Sequence, residues 1–239
     1  MSEIFLSVIV PAYNEEKRIP ATLHKIQDYL SVQPFDSEII VVDDGSQDQT
    51  VEVSRRKLKD FNHKVIESHV NEGKGSAVQK GMLAGMGKYL LFSDADMSTP
   101  IEEVERFIQY FEKDGYDCVI GSRALPKSHI TIHQNGMREL MGKVFNRVAR
   151  LMSFKGIRDS QCGFKCFKRE AAQDLFSRQK IKGFSFDAEI LYLAQRRGYR
   201  ILETPVEWHH VEQSRVQLLR DPLLMFKDLI RIRWLHRNE

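Results

Sequence analysis

The sequence has little cysteine, no long apolar run and no complete nucleotide-binding loop, and each shortage closes off a class of protein. Three cysteines in 239 residues (Cys118, Cys162 and Cys166) cannot build a disulfide scaffold, and their odd number fits a reducing compartment. No window approaches the roughly 18 consecutive apolar residues of a membrane-crossing helix. The amino terminus opens on a strand-like run, not on a basic segment followed by an apolar one, so no secretory leader is expected. Gly73-Lys74-Gly75-Ser76 has the lysine of a P-loop without the upstream glycine. Gly81, Gly85 and Gly87 fall in or at the end of a helical stretch, not after a strand. A P-loop NTPase and a dinucleotide-dependent dehydrogenase are therefore disfavoured. Internal repeats and low-complexity segments are missing too.

What remains is ordinary in bulk and uneven in charge. Hydrophobic residues are 42% and charged residues 29%, which excludes a disordered chain, a collagen and a coiled-coil rod. The length suits one large α/β domain. The net charge of +3 divides into −6 over residues 1–136 and +9 over residues 137–239. Solvated helix faces account for such a split. An acidic metal site beside a basic surface for anions or anionic lipid also accounts for it. A nucleic-acid partner is not expected.

Four short apolar runs read as strands: Leu6–Pro11, Glu38–Asp44, Lys88–Asp94 and Asp117–Ser122. Each is apolar nearly throughout, as strands covered on both faces are. Helical stretches lie between them, at about 15–31, 48–60, 74–87 and 101–114. The last follows Ser98-Thr99-Pro100, a hydroxyl cap candidate. This alternation predicts an α/β fold, a doubly wound and mostly parallel sheet with helices on both faces. Beyond residue 122 the pattern loosens. Residues 124–136 read as a loop, and Met137–Met152 as an amphipathic helix. Gly163–Phe167 reads as a short strand, Phe186–Arg197 as a helix and Ile201–Trp208 as an edge or bulged strand. Leu218–Leu235 closes the chain as a basic amphipathic helix.

In open α/β sheets ligands bind outside the carboxyl ends of the strands. Pro11-Ala12-Tyr13-Asn14-Glu15 follows the first strand, Asp43-Asp44-Gly45-Ser46 the second, Asp94-Ala95-Asp96 the third and Gly121-Ser122-Arg123 the fourth. Carboxylates converging in that number suit a divalent cation, which in turn holds phosphate. Asp43 and Asp44 also have a plainer reading as caps of the helix that follows.

These segments resemble family 2 glycosyltransferases of the GT-A fold. The match runs through Val8-Ile9-Val10-Pro11-Ala12-Tyr13-Asn14-Glu15, Val41-Val42-Asp43-Asp44-Gly45-Ser46-x-Asp48-x-Thr50, Asn71-x-Gly73-Lys74-Gly75 and Asp94-Ala95-Asp96. Gly121-Ser122-Arg123, Asp159-x-Gln161-Cys162-Gly163-Phe164-Lys165, Phe186-Asp187-x-Glu189 and Pro205-Val206-x-Trp208 resemble the branch that makes dolichyl-phosphate glucose and dolichyl-phosphate mannose. The likeness covers residues 6 to about 216.

The resemblance implies that Pro11, Tyr13, Glu15, Asp43, Asp44, Lys74 and Asp94 bind a nucleotide-sugar. Asp94 and Asp96 would ligate Mg²⁺ or Mn²⁺. Ser98 stands where mannose-transferring relatives place a metal-contacting glutamine, which leaves the third protein ligand open. Asp96, Asp159 and Arg123 are the expected catalytic residues. Arg123, Arg138, Ser214 and Arg215 are candidates for the acceptor phosphate or the leaving diphosphate. The expected reaction is inverting and metal-dependent. It moves a hexose from a nucleotide-sugar to a polyprenyl phosphate, with UDP-glucose favoured over GDP-mannose as donor. The alternative acceptor is a saccharide hydroxyl, for which Asp159 is the candidate base. Residues 1–216 would form the catalytic domain. Residues 217–239 would form an interfacial helix, with Leu219, Leu223, Phe226, Ile230 and Trp234 as its apolar stripe, broadened by Leu218, Met225 and Leu229. The expected location is cytoplasmic and peripheral at the membrane surface.

Overall fold

A computed structural model gives the architecture and describes residues 3–126, 128–130, 156–209 and 220–237. The strands are β1 (Leu6–Ala12), β2 (Ser37–Asp43), β3 (His63–Glu67), β4 (Tyr89–Ser93), β5 (Cys118–Ser122), β6 (His129–Ile130), β7 (Phe164–Lys168), β8 (Ile201–Pro205) and β9 (Glu207–Trp208). The helices are α1 (Ile19–Ser31), α2 (Thr50–Leu58), α3 (Lys74–Ala84), α4 (Glu103–Asp114), α5 (Arg169–Arg178), α6 (Phe186–Arg196) and α7 (Arg220–Leu235).

Seven strands form one sheet in the order β3-β2-β1-β4-β7-β5-β8, and β6 and β9 form a two-stranded annex. All pairings in the large sheet are parallel except those of β7, which runs antiparallel to β4 and to β5. Successive strands are added outward on one side of β1, through β2 and β3, and then on the other side from β4. The switch point lies between β1 and β4, where such sheets open a ligand crevice. Because β7 runs backwards, the segment before it, Asp159–Gly163, arrives at the same edge as the carboxyl ends of β4 and β5.

The pleat sorts the core. Leu6, Val8 and Val10 of β1 face Leu23 and Ile26 of α1 and the α4 residues Val104 and Phe107. Ile9 points the other way, into a layer with Val78 and Met82 of α3, Leu175 of α5 and Phe186 of α6. Each fully buried side chain of this size contributes about 1.5–3 kcal/mol through burial. A third cluster joins Leu229 and Ile232 of α7 to Ile120, Ile181, Leu191 and Tyr192.

Several boundaries differ from the sequence reading. The first helix starts at Ile19 rather than near residue 15, because residues 13–18 turn at the end of β1, with Asn14 at φ 52°. α4 starts at Glu103, and no side chain caps it; Ser98, Thr99 and Pro100 belong to the preceding turn. β3 and α5 were not anticipated. Ile201–Trp208 divides into β8, a sheet edge, and β9. The expected helix Met137–Met152 lies outside the described residues.

Candidate active site

The loops after β1 and β2 are stitched together by their own motif residues. Ser46 Oγ accepts a hydrogen bond from the Asn14 amide at 2.8 Å, Thr50 Oγ1 from the Glu15 amide at 2.7 Å, and Asp48 Oδ2 from the Glu16 amide at 3.2 Å. The Gln47 amide returns a bond to Asn14 Oδ1 at 2.8 Å. Gly45 sits at φ 76°, and a Cβ there would lie 2.6 Å from the Val70 carbonyl carbon, so no other residue passes this corner unstrained. Serine, aspartate and threonine at this spacing therefore fix the backbone of the turn that follows Pro11 and Tyr13.

Asp43 and Asp44 serve the same framework. Asp43 Oδ2 accepts the Gly45 and Ser46 amides at 3.1 and 2.9 Å, and its Oδ1 is buried without a partner. Asp44 is buried, and its two oxygens accept the amides of Glu72 and Gly73 at 3.0 and 2.8 Å. Burial raises the Asp44 pKa against the pull of those two amides. Its geometry thus ties the loop before α3 to β2. Asp44→Ala is expected to cost about 2–4 kcal/mol of folding stability, since it strands two amides bonded to a charged group. Urea unfolding checks this; an unchanged midpoint would return Asp44 to a purely ligand-facing role.

Glu15 is buried and held by Arg18, whose Nε lies 2.6 Å from Oε2. Its backbone carbonyl also receives the Arg18 and Ile19 amides at the start of α1.

The Asp94-Ala95-Asp96 segment leaves β4 in a tight turn. The Met97 amide donates to the Asp94 carbonyl at 3.0 Å, and Met97 sits at φ 48°, a strained value for a side-chain-bearing residue. Asp96 Oδ1 accepts the Ser98 amide at 3.0 Å. The Asp94 carboxylate packs against Gly163, where a Cβ would come within 2.0 Å of Oδ2. Lys74, the first residue of α3, places Nζ 2.6 Å from Asp94 Oδ1. Burial works to lower the Lys74 pKa, but the charges of Asp94, Asp187 and Asp96 outweigh it and the ammonium is held more firmly.

Arg123, just past β5, meets Asp159 in a two-point fork. Nε to Oδ2 is 2.7 Å and Nη2 to Oδ1 is 2.9 Å, and the Arg123 amide adds a third bond to Oδ2 at 2.9 Å. The guanidinium lies 5.6 Å from the Trp208 ring centroid. Burial pushes the Asp159 carboxyl up, yet Arg123 outweighs it and holds the pKa down to about 2. A carboxylate so engaged is a poor proton acceptor, which removes the physical basis for Asp159 as a general base.

Two further groups at this edge were not anticipated. Lys165 and Asp187 form an ion pair at 2.5 Å behind the site, both buried. Lysine within the apolar run Phe164–Lys165–Cys166–Phe167 was the signal for it. Arg138, Ser214 and Arg215 lie outside the described residues. Among the described residues, no cluster of three or more His, Cys, Asp or Glu side chains forms a ready-made metal cage. The three thiols are free and buried, and burial pushes that of Cys162 up to about 12.

The glycosyl transferase family 2 model matches residues 7–176. The chain belongs to that family. It is a glycosyltransferase, and its sheet has the GT-A architecture. A dolichyl-phosphate beta-glucosyltransferase of Dictyostelium discoideum is 37% identical over 246 residues, covering 98% of this chain and 75% of the relative. The enzyme of the same description from Homo sapiens is 37% identical over 245 residues, covering 95% and 74%. A crystal structure of glucosyl-3-phosphoglycerate synthase from Mycobacterium tuberculosis, in complex with Mn²⁺, UDP and glucosyl-3-phosphoglycerate, superposes with a TM-score of 0.69. It is 20% identical, covering 96% of this chain and 78% of that one.

Proposed function

We propose that this family 2 enzyme transfers glucose from UDP-glucose to a polyprenyl phosphate such as dolichyl phosphate, with inversion, at a membrane surface. The observation that carries the reading is the near-full-length identity to dolichyl-phosphate beta-glucosyltransferases. The site chemistry supports it.

The donor set fits a hard divalent cation. Asp94 and Asp96 offer two oxygen ligands at the sheet edge, and Mg²⁺ is commonly held by one or two carboxylates with substrate phosphates completing its shell. Mg²⁺ or Mn²⁺ bound there would neutralise charge on the leaving diphosphate. The chain itself adds cations to the same end: Lys74, and the Arg123 guanidinium, whose Nη1 is not used by Asp159. Asp159 orients that fork, and Trp208 flanks it.

The state of Asp159 favours phosphate over a sugar hydroxyl as acceptor. A hydroxyl needs a base, and the carboxylate nominated for that role is locked onto Arg123. A phosphomonoester, with a second pKa near ~6, is already a nucleophilic anion at neutral pH. It attacks the anomeric carbon opposite the departing diphosphate, so an α-linked donor gives a β product in one displacement. The decisive test incubates the protein with Mn²⁺, dolichyl phosphate and labelled UDP-glucose, GDP-mannose or other nucleotide-sugars in parallel. Labelled lipid from UDP-glucose supports the proposal. Label reaching only a saccharide hydroxyl overturns it.

Membrane contact belongs to α7. Its inner face joins the core through Leu229 and Ile232, and His236 Nε2 lies 2.6 Å from Glu189 Oε1 in full burial. Leu229, expected on the outward stripe, thus turns inward. The outer face exposes Ile230 (62%) and Trp234 (64%) among exposed Lys227, Arg231, Arg233 and Arg237. Among the described residues no helix is long and apolar enough to cross a membrane. A half-apolar, basic-rimmed face suits the headgroup layer, where each cation near an anionic surface adds about 1 kcal/mol. Ile230→Ser/Trp234→Ser should keep the fold and weaken binding to phosphatidylserine vesicles about tenfold or more in a sedimentation assay, with part of the wild-type binding surviving high salt. Equal binding by the variant would detach α7 from the membrane.

A further inference from the structure

Behind Asp94 lies a row of alternating charges that the catalytic reading does not require. Asp94, at the end of β4, pairs with Lys74 at 2.6 Å. The Lys74 ammonium also feels the carboxylate of Asp187, at the start of α6. Asp187 Oδ1 is 2.5 Å from Lys165 Nζ, which in turn donates to the Cys162 carbonyl at 2.5 Å and lies 5.2 Å from the Phe92 ring centroid. From the site inward the signs run minus, plus, minus, plus.

The inner pair is expensive for what it gives the fold. Lys165 and Asp187 are both almost completely buried, and such a pair is often replaced by packed apolar residues at no loss of stability. Its placement next to Lys74 suggests a different service. Lys74 sits at the start of α3, in contact with Asp94 at the sheet edge and within the electrostatic reach of Asp187, which Lys165 pairs at 2.5 Å. An ammonium on Asp94 neutralises a carboxylate that would otherwise face Asp96 two residues on. The same ammonium blocks that oxygen to any other cation.

We propose that Lys74 is a resident cation that pairs with Asp94 until a divalent cation binds, when it is released toward Asp187 and the incoming diphosphate. This deepens the donor-site reading given above and rests on it. Asp187 makes the exchange feasible, because the displaced ammonium keeps a counter-charge. Lys165 holds Asp187 in position through the 2.5 Å ion pair and supplies its counter-charge. Lys74, Asp187 and Lys165 are then positioning residues that set how tightly metal binds before and after the nucleotide arrives.

The test measures Mn²⁺ alone, by paramagnetic resonance of the free ion, and then UDP in saturating Mn²⁺ by calorimetry. Lys74→Met is expected to bind Mn²⁺ alone about tenfold tighter than wild type, the scale of one charge contact in a partly screened site, and to bind UDP about tenfold more weakly. Lys74→Gln serves equally should the methionine variant fail to fold, and Lys74→Arg should behave as wild type toward Mn²⁺. The double variant Lys165→Met/Asp187→Leu leaves no lone buried charge. It is expected to bind Mn²⁺ alone more weakly than wild type, because Lys74 loses its second partner. A merely structural pair would leave that affinity unmoved. Unchanged or weaker Mn²⁺ binding in the neutral Lys74 variants overturns the proposal, as does an absence of Mn²⁺ binding in every form. The outcome is separable from the choice of acceptor. These shifts without any lipid-linked product would refute the polyprenyl acceptor alone, whereas transfer without the shifts would refute the exchange alone.

Discussion

Asp96→Asn is expected to slow glycosyl transfer by about 10²–10³-fold or more, while moving Tm by no more than about 2 °C. The asymmetry follows from where Asp96 sits. Its side chain is half-buried at the sheet edge, and its one hydrogen bond among the described residues, from the Ser98 amide at 3.0 Å, is kept by an asparagine oxygen. Little folding energy therefore depends on the charge. What disappears is an anionic oxygen beside Asp94, in a field that raises the pKa of both Arg18 and Lys74. A neutral amide is a weaker ligand for a hard cation and leaves the diphosphate's developing charge less well balanced. Turnover and thermal unfolding are measured side by side, and wild type is assayed in EDTA before and after Mn²⁺ is restored. An asparagine variant within tenfold of wild type, or full turnover in EDTA, would take Asp96 out of the chemistry.

Legibility in the sequence followed burial. β1, β2, β4 and β5 announced themselves because both faces are covered and nearly every residue is apolar. β3 did not: it is a sheet edge of mixed burial, and His-Lys-Val-Ile-Glu carries no apolar run. The strand ends were legible as a candidate site because the topology rule says where ligands bind. The division of labour among the motif residues was not. Ser46, Asp48 and Thr50, read only as motif residues, hold the Asn14–Glu16 backbone, and Asp44, expected to meet the nucleotide, also holds the Glu72–Gly73 backbone. The pairs Lys74–Asp94, Arg123–Asp159 and Lys165–Asp187 join elements 20 to 36 residues apart, and only the reversed direction of β7 brings the second and third into place. Strand direction has no local sequence signature. A lysine in an apolar strand does, since burial obliges it to find a carboxylate.

Removing one half of the Arg123–Asp159 pair should be the most damaging single change in the site. Asp159→Asn is expected to cost about 2–3 kcal/mol of stability, the scale of hydrogen bonds to a charged group next to a half-buried Arg123, and to abolish transfer. Asp159 is 2% exposed and engages Arg123 through both oxygens, so the asparagine keeps the shape and loses the countercharge. Arg123→Met/Asp159→Leu removes both charges and should recover much of the stability but none of the activity, which separates the fold's need from the reaction's. The pH dependence has a definite sign. Burial raises the Asp159 pKa, Arg123 lowers it by more, and the net value is about 2, below the usual carboxylate range. A depressed folded-state pKa stabilises fully above the unfolded value of ~3.9 and loses that contribution as pH falls through the folded one. The pair should therefore add about 2 kcal/mol at neutral pH and lose it between roughly pH 4 and pH 2. Urea unfolding at pH 7, 4 and 3 reads this directly: wild type should weaken across the lower interval more steeply than Asp159→Asn. Parallel slopes would show that the acid sensitivity lies elsewhere and that the fork serves orientation alone.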